Sequence, residues 1–178
     1  DESIAFLNEF NTKLSELSKD NKDLFENNTI IISPSFISLS EISKIKYEHI
    51  KLCAQNMYCE DSGAFTGEIS PLMLKGLCDY VFIGHSERRQ IFKEPNQLIN
   101  KKVLAALKNG LKPILCIGET EDERKKKKTN SVLETQLKAC LKNVSENKMK
   151  NVIVAYEPLW AISNQDPNHK PATSADAQ

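Results

Sequence analysis

Five short apolar runs recur along this chain, each stopped by a polar or turn-forming residue: Thr29–Ile32, Ile50–Gln55, Asp79–Ile83, Lys112–Ile117 and Val152–Ala155. They are continuous rather than alternating, as strands buried on both faces of a parallel sheet would be. The stretches between them carry helical spacing. Ile4, Leu7, Phe10, Leu14 and Leu17 form a stripe along Glu2–Leu17. Ser38–Tyr47 (started by Ser40 and Glu41), Pro71–Leu77, Ser86–Gln90, Asn96–Leu107 and Ser131–Val144 read as further helices. Pro71 suits a first turn, and Asn109-Gly110 suits a helix stop. A polar segment, Ser163–Pro171, leads to a helix cap at Thr173 or Ser174. The β-α-β-α rhythm predicts an α/β fold in one domain over residues 1–178, with helices packed on a parallel sheet. Five strands would complete a doubly wound sheet. A (β/α)8 barrel takes eight strands and about 250 residues, so a barrel would place strands outside this stretch at both ends.

Composition narrows the function classes. The 24 basic and 24 acidic side chains cancel, which argues against a nucleic-acid or anionic-membrane partner. No apolar run reaches the length of a membrane span. The basic run Lys125–Lys128 follows Glu119, Glu121, Asp122 and Glu123 and starts a helix, so it reads as a solvated, charge-balanced face. Five cysteines show no CxxC pair and no His/Cys metal spacing, which predicts free thiols in a reducing compartment and no metal site. His49 and His169 read as surface residues.

The chemistry is expected at the strand ends, where Asn56, His85, Glu119 and Glu157 would converge on one mouth at the carboxyl edge of the sheet. Glu157 follows its strand directly and precedes Pro158, which cannot extend the pairing. His85 follows Gly84 and opens the helical turn Ser86–Gln90, whose amides would disfavour an imidazolium. A neutral imidazole can donate a hydrogen bond to a carbonyl while a desolvated carboxylate takes a proton from the adjacent carbon. The plainer readings are a solvated loop acid at Glu157 and a backbone-bonded structural histidine at His85.

The segment Tyr156-Glu157-Pro158-Leu159-Trp160-Ala161-Ile162 resembles the base-and-lid segment of the triosephosphate isomerase family. Val81–Arg89, reading VFIGHSERR, is similar to that family's catalytic-histidine segment. Gly63–Ser70, GAFTGEIS, is similar to its dimer loop, and Cys116-Ile117-Gly118-Glu119 to its fifth strand end. The four motifs stand in the family's order, so the resemblance covers nearly the whole chain.

The resemblance implies a partial TIM barrel covering about strands 2–6 and the lid loop. It implies cofactor-free interconversion of dihydroxyacetone phosphate and D-glyceraldehyde 3-phosphate through an enediolate. Glu157 would be the base, and His85 would polarise the carbonyl. Glu87 would pair with an active-site lysine, supported by Ser86, while Cys116 would pack near Glu157. Pro158, Leu159, Trp160, Ala161 and Ile162 would form the hinge and body of a lid, with the Ser163 amide on the phosphate. Phe65, Thr66, Gly67 and Glu68 would enter a second subunit of a homodimer, in the cytoplasm or an organelle.

Three departures accompany the resemblance. The lid tip, Ser163–Pro171, is longer than the family's. The first strand with its Asn and Lys is missing, and so are strands seven and eight. The stretch alone is therefore expected to be inactive, with open sheet edges. Two other readings remain: a Schiff-base aldolase, which needs a strand-end lysine not found here, and a non-catalytic homologue with a binding or structural role.

Overall fold

The computed structural model describes residues 2–162 and Thr173. The chain opens with α1 (Glu2–Asp20) and α2 (Lys22–Glu26), then β1 (Ile30–Ile32), α3 (Phe36–Ile42) and β2 (Ile50–Ala54). There follow α4 (Pro71–Leu74), β3 (Tyr80–Ile83), α5 (Ser86–Gln90), α6 (Asn96–Lys108) and β4 (Lys112–Ile117). Last come α7 (Glu121–Lys125), α8 (Thr129–Cys140), α9 (Glu146–Met149), β5 (Ile153–Tyr156) and a 3-10 turn, Leu159–Ala161.

The five strands are all parallel and lie side by side in the order β1-β2-β3-β4-β5. A doubly wound sheet reverses direction at a switch point. No reversal occurs here, and the sheet is a five-strand arc of a barrel.

Register fixes which side chains share a face. Ile31, Cys53, Tyr80, Phe82, Ile114 and Ala155 cluster on one side, the concave face. Leu52, Ala54, Val81, Ile83, Leu115 and Ile117 alternate with them and pack against the helices, joined by Leu39, Ile42, Ile99, Val103 and Cys140. This second cluster is the main core. Truncating one of its fully buried members, such as Leu115, costs about 2–5 kcal/mol in comparable cores.

Several boundaries differ from the sequence expectations. α3 starts at Phe36 with Ser35 as its N-cap, not at Ser40, because Leu39 and Ile42 must reach the core. α4 ends at Leu74: Lys75 is already extended and Gly76 has φ 86°. The charged run read as a helix face holds a short helix of its own, α7, started by the reciprocal capping box of Thr120 and Glu123. His49, expected at the surface, is only partly exposed. It tilts over Phe25 at 4.6 Å between centroids, and its Nε2 is shut off from solvent.

β5 was expected to be buried on both faces. Ile153, Val154 and Tyr156 are instead 41–43% exposed, because among the described residues β5 has a hydrogen-bonded neighbour only on its β4 side. The polar segment 163–171 and Ser174 lie outside the described residues, and Thr173 is in no helix. No helix among the described residues is long and apolar enough to cross a membrane.

Candidate active site

Strand alternation sorts the four polar strand ends before any side chain is considered. Glu157 continues the parity of Ala155, which belongs to the concave face. Glu119 continues that of Leu115 and Ile117, and Asn56 that of Leu52 and Ala54, so both belong to the helix side. His85 shares the parity of Ile83 and would also turn toward the helices. Gly84 reverses this. Its φ of 74° lies in the left-handed region that favours glycine, and the turn brings His85 onto the concave side.

The outcome is a cavity of about 600 Å³ whose lining includes Asn56, Phe82, His85, Cys116, Ala155 and Glu157. A second cavity, about 470 Å³, lies among the strand starts at the opposite end of the sheet and reaches neither His85 nor Glu157. Neighbouring strands are about 4.8 Å apart, so β3 and β5 stand about 10 Å apart with β4 between them. The two side chains span that gap. His85 Nε2 lies 3.5 Å from Glu157 Oε1, longer than a well-formed hydrogen bond. The other oxygen, Glu157 Oε2, is shut off from solvent and has no hydrogen-bond partner. On the ring's far side the Glu87 amide donates to His85 Nδ1 at 3.4 Å, which caps α5. A ring whose Nδ1 accepts carries its proton on Nε2, facing Glu157.

The electrostatics correct one expectation. His85 was expected to have its proton affinity lowered by the helix behind it. Its pKa is instead raised, first by the interaction with Glu157, against the opposing effect of burial, and further by the charges of Glu157 and Glu87. α5 has only five residues, and two carboxylates, Glu157 and Glu87, lie within 4 Å of the ring. Reciprocally, Glu157 is held below the ordinary carboxylate value, first by His85, with help from Ser86, while burial works the other way.

Cys116 is buried beneath the pair. Burial and then the Glu157 charge push its thiol up to about 12, so it is no nucleophile at neutral pH. Glu87 is largely exposed, with Oε2 at 3.9 Å from His85 Nδ1, and no lysine among the described residues pairs with it.

One of the four strand ends does not converge on the mouth as expected, and another is taken up by a buried partner. Glu119 is wholly buried on the helix side. It accepts from Tyr156 Oη at 3.1 Å, Trp160 Nε1 at 2.9 Å and Thr129 Oγ1 at 3.3 Å. The Arg124 guanidinium stacks on the Trp160 ring at 3.9 Å and completes this anchor. Trp160 thus ties the turn after Glu157 to β4, and the Leu159 amide donates to the Glu119 carbonyl. Asn56 lines the cavity, but its Oδ1 accepts from Lys102 Nζ at 2.9 Å.

Lys102 was not foreseen at all. It is nearly fully buried and paired at 2.7 Å with buried Glu94, which also takes Arg88. Burial lowers the Lys102 pKa; it also works to raise that of Glu94, which Lys102 and Arg88 together hold below its ordinary value. A lysine inside the apolar stripe of α6 was the available signal.

Gly118 completes the site by what it lacks. A Cβ there would lie 2.0 Å from the Glu157 carbonyl oxygen, so the chain bearing the acid passes directly over it. The segment Phe65–Glu68 is exposed, with the Phe65 ring tilted on Tyr58 at 4.6 Å. Pro158, Leu159, Ala161 and Ile162 are half-buried. Ser163 lies outside the described residues.

A family model described as triosephosphate isomerase matches residues 2–178. The curated triosephosphate isomerase of Caldanaerobacter subterraneus subsp. tengcongensis is 50% identical over 150 residues, which cover 83% of this chain and 59% of that protein. That of Clostridium tetani is 45% identical over 179 residues, covering 99% of this chain and 65% of its own. That of Dehalococcoides mccartyi is 51% identical over 148 residues, 83% and 56% respectively. The chain therefore spans about three-fifths of the length of these relatives. With the motifs, the strand order and the strand-end pair on record, the chain belongs to the triosephosphate isomerase family.

Proposed function

We propose that the protein is a triose-phosphate isomerase that interconverts dihydroxyacetone phosphate and D-glyceraldehyde 3-phosphate. The observation that carries the reading is the carboxylate of Glu157, with one oxygen unpartnered and the other facing an Nε2-protonated His85 across a shared cavity. A buried polar atom left without a partner asks for a reason, and a proton acceptor awaiting substrate supplies one.

In the proposed reaction, Glu157 takes a proton from the carbon next to the substrate carbonyl. The C–H electron pair moves to form the enediolate, and His85 Nε2–H hydrogen-bonds the oxygen on which charge develops. The hydroxyl proton passes from one enediolate oxygen to the other by way of His85, and the same carboxylate returns the carbon-bound proton to the neighbouring carbon, so no electron acceptor or metal is required. At 3.5 Å the pair leaves no room for a substrate between them, so binding parts them. Parting weakens the largest of the contacts that lower the Glu157 pKa, while burial continues to raise it, so substrate makes the base stronger at the moment of use.

The remaining roles belong to the same reading. Cys116 packs under the base, and Ser86 steadies it. Glu87 serves a lysine from the first strand of the barrel. Pro158–Ile162 is the hinge of a lid, and the Ser163 amide is a phosphate donor. Phe65, Thr66, Gly67 and Glu68 dock into a second copy of the protein, and residues 1–178 form part of one barrel domain. The five free thiols favour a reducing compartment such as the cytoplasm. The test is turnover of dihydroxyacetone phosphate by the natural full-length polypeptide. Glu157→Gln and His85→Gln are each expected to lose about 10²–10⁴-fold in kcat. Equal activity in all three proteins, or none in the wild type, would sink the proposal.

A further inference from the structure

We infer that Arg89 is a positioning residue of this site: its guanidinium ties the strand end carrying His85 to the strand supporting Glu157, and so sets their separation. The kinetic part of this inference rests on the isomerase reading; the geometric part does not.

The paired ladder between β3 and β4 ends at Ile83 and Leu115. One residue further on, two backbone carbonyls accept from the same side chain. Arg89 Nε–H donates to the Gly84 carbonyl at 2.6 Å, and Nη2–H donates to the Cys116 carbonyl at 3.0 Å. The guanidinium thus continues the connection between the strands where pairing stops. Its other contacts fix it from the helix side: Nη1–H donates to Asn96 Oδ1 at 2.7 Å, and Nη2 lies 3.8 Å from Cys140 Sγ. A planar fork with donors in fixed directions acts as a rigid spacer, which a flexible ammonium cannot reproduce.

The surroundings are shaped to this spacer. A Cβ on Gly84 would come 2.9 Å from Arg89 Nη2, so the residue that turns His85 onto the concave face also leaves room for the guanidinium. On the other arm, Cys116 pairs in register with Ala155, two residues before Glu157, and the Glu157 amide donates to the Ile117 carbonyl at 2.8 Å. A shift of β4 against β3 therefore moves Glu157 against His85. Misplacement by about 1 Å is enough to cost on the order of 100-fold in rate.

The titration of His85 reports the same separation without any turnover. Its charged neighbours are Glu157 and Glu87, while Arg88, on the same cavity, is held by Glu94. If Glu157 draws away, the His85 midpoint falls toward the ordinary imidazole value.

The experiment uses the natural full-length polypeptide with Arg89→Lys and Arg89→Met. In both variants kcat is expected to fall on the order of 100-fold with KM little changed. The NMR titration midpoint of His85 is expected to drop, with the circular dichroism unaltered. Added guanidinium ion is expected to restore part of the Arg89→Met activity. Wild-type kcat together with a wild-type His85 midpoint in either folded variant overturns the inference. Should Arg89→Met fail to fold, Arg89→Lys decides, because it keeps the charge and loses the fork. A wild-type protein without turnover overturns the isomerase reading instead, and the His85 midpoint then judges Arg89 alone.

Discussion

Glu119 and Glu157 stand at the ends of adjacent strands, each just beyond an apolar run, and their environments are opposites. Glu119 faces the helices, fully buried, with hydroxyl and indole donors on its oxygens. Glu157 faces the concave side, with one oxygen unpartnered and the other 3.5 Å from His85. A carboxylate whose lone pairs are occupied is a structural anchor; one with a free lone pair beside a cavity can do chemistry. Strand parity assigns the two sides, since Glu119 follows Ile117 at an interval of two and Glu157 follows Ala155 likewise.

The contrast can be broken by experiment, most forcefully at Glu157 itself. Shortening it by one methylene in Glu157→Asp should lower kcat on the order of 100-fold in the full-length protein, with an unfolding midpoint close to wild type. A variant with unimpaired turnover would end the distinction between the two acids.

Gly118→Ala strikes the crossing between the two regions. A Cβ 2.0 Å from the Glu157 carbonyl forces the backbone apart and should destabilise the fold by about 1–3 kcal/mol, with kcat falling as well. Thermal unfolding and kinetics measured together would check it.

Glu119→Gln puts amide hydrogens among groups that themselves donate. It should cost about 1–3 kcal/mol in denaturant unfolding. Turnover should suffer less than in Glu157→Asp, and the reverse order would show Glu119 to be the chemical group.

The His85 titration midpoint should lie above the ordinary imidazole value and fall back in Glu157→Gln, because Glu157 is the main cause of the shift. The sign for stability follows. The raised His85 pKa contributes stability that is complete below the unfolded-state value and is lost as pH rises through the folded one. The lowered Glu157 pKa contributes stability that is present above its unfolded value and is lost as pH falls through the folded one. The wild-type advantage over Glu157→Gln should therefore peak at mildly acidic pH and shrink on either side.

The smallest effect is expected at a third kind of glutamate. Glu134 pairs with Lys138 on the solvent face of α8, and Glu134→Gln should leave the unfolding midpoint unresolved from wild type.

Much of the architecture was legible from composition and spacing. Five apolar runs gave five strands, Gly110 marked the end of α6, and the segments around His85 and Glu157 supplied the pair that faces across the cavity. Boundaries that depend on packing were not legible. α3 begins where Leu39 and Ile42 can reach the core, and α4 stops where Gly76 must turn. The Lys102–Glu94–Asn56 network joins residues as far as 46 positions apart, and no local pattern announces such a meeting.

The sequence by itself determined a parallel α/β sheet, because continuous apolar strands must be covered by helices, and it determined which polar groups stand at the strand ends. Tertiary structure decided the rest. It turned His85 inward through Gly84 and spent Glu119 and Asn56 on buried partners. Burial and pairing depend on neighbours, and neighbours are chosen by the fold rather than by the residue.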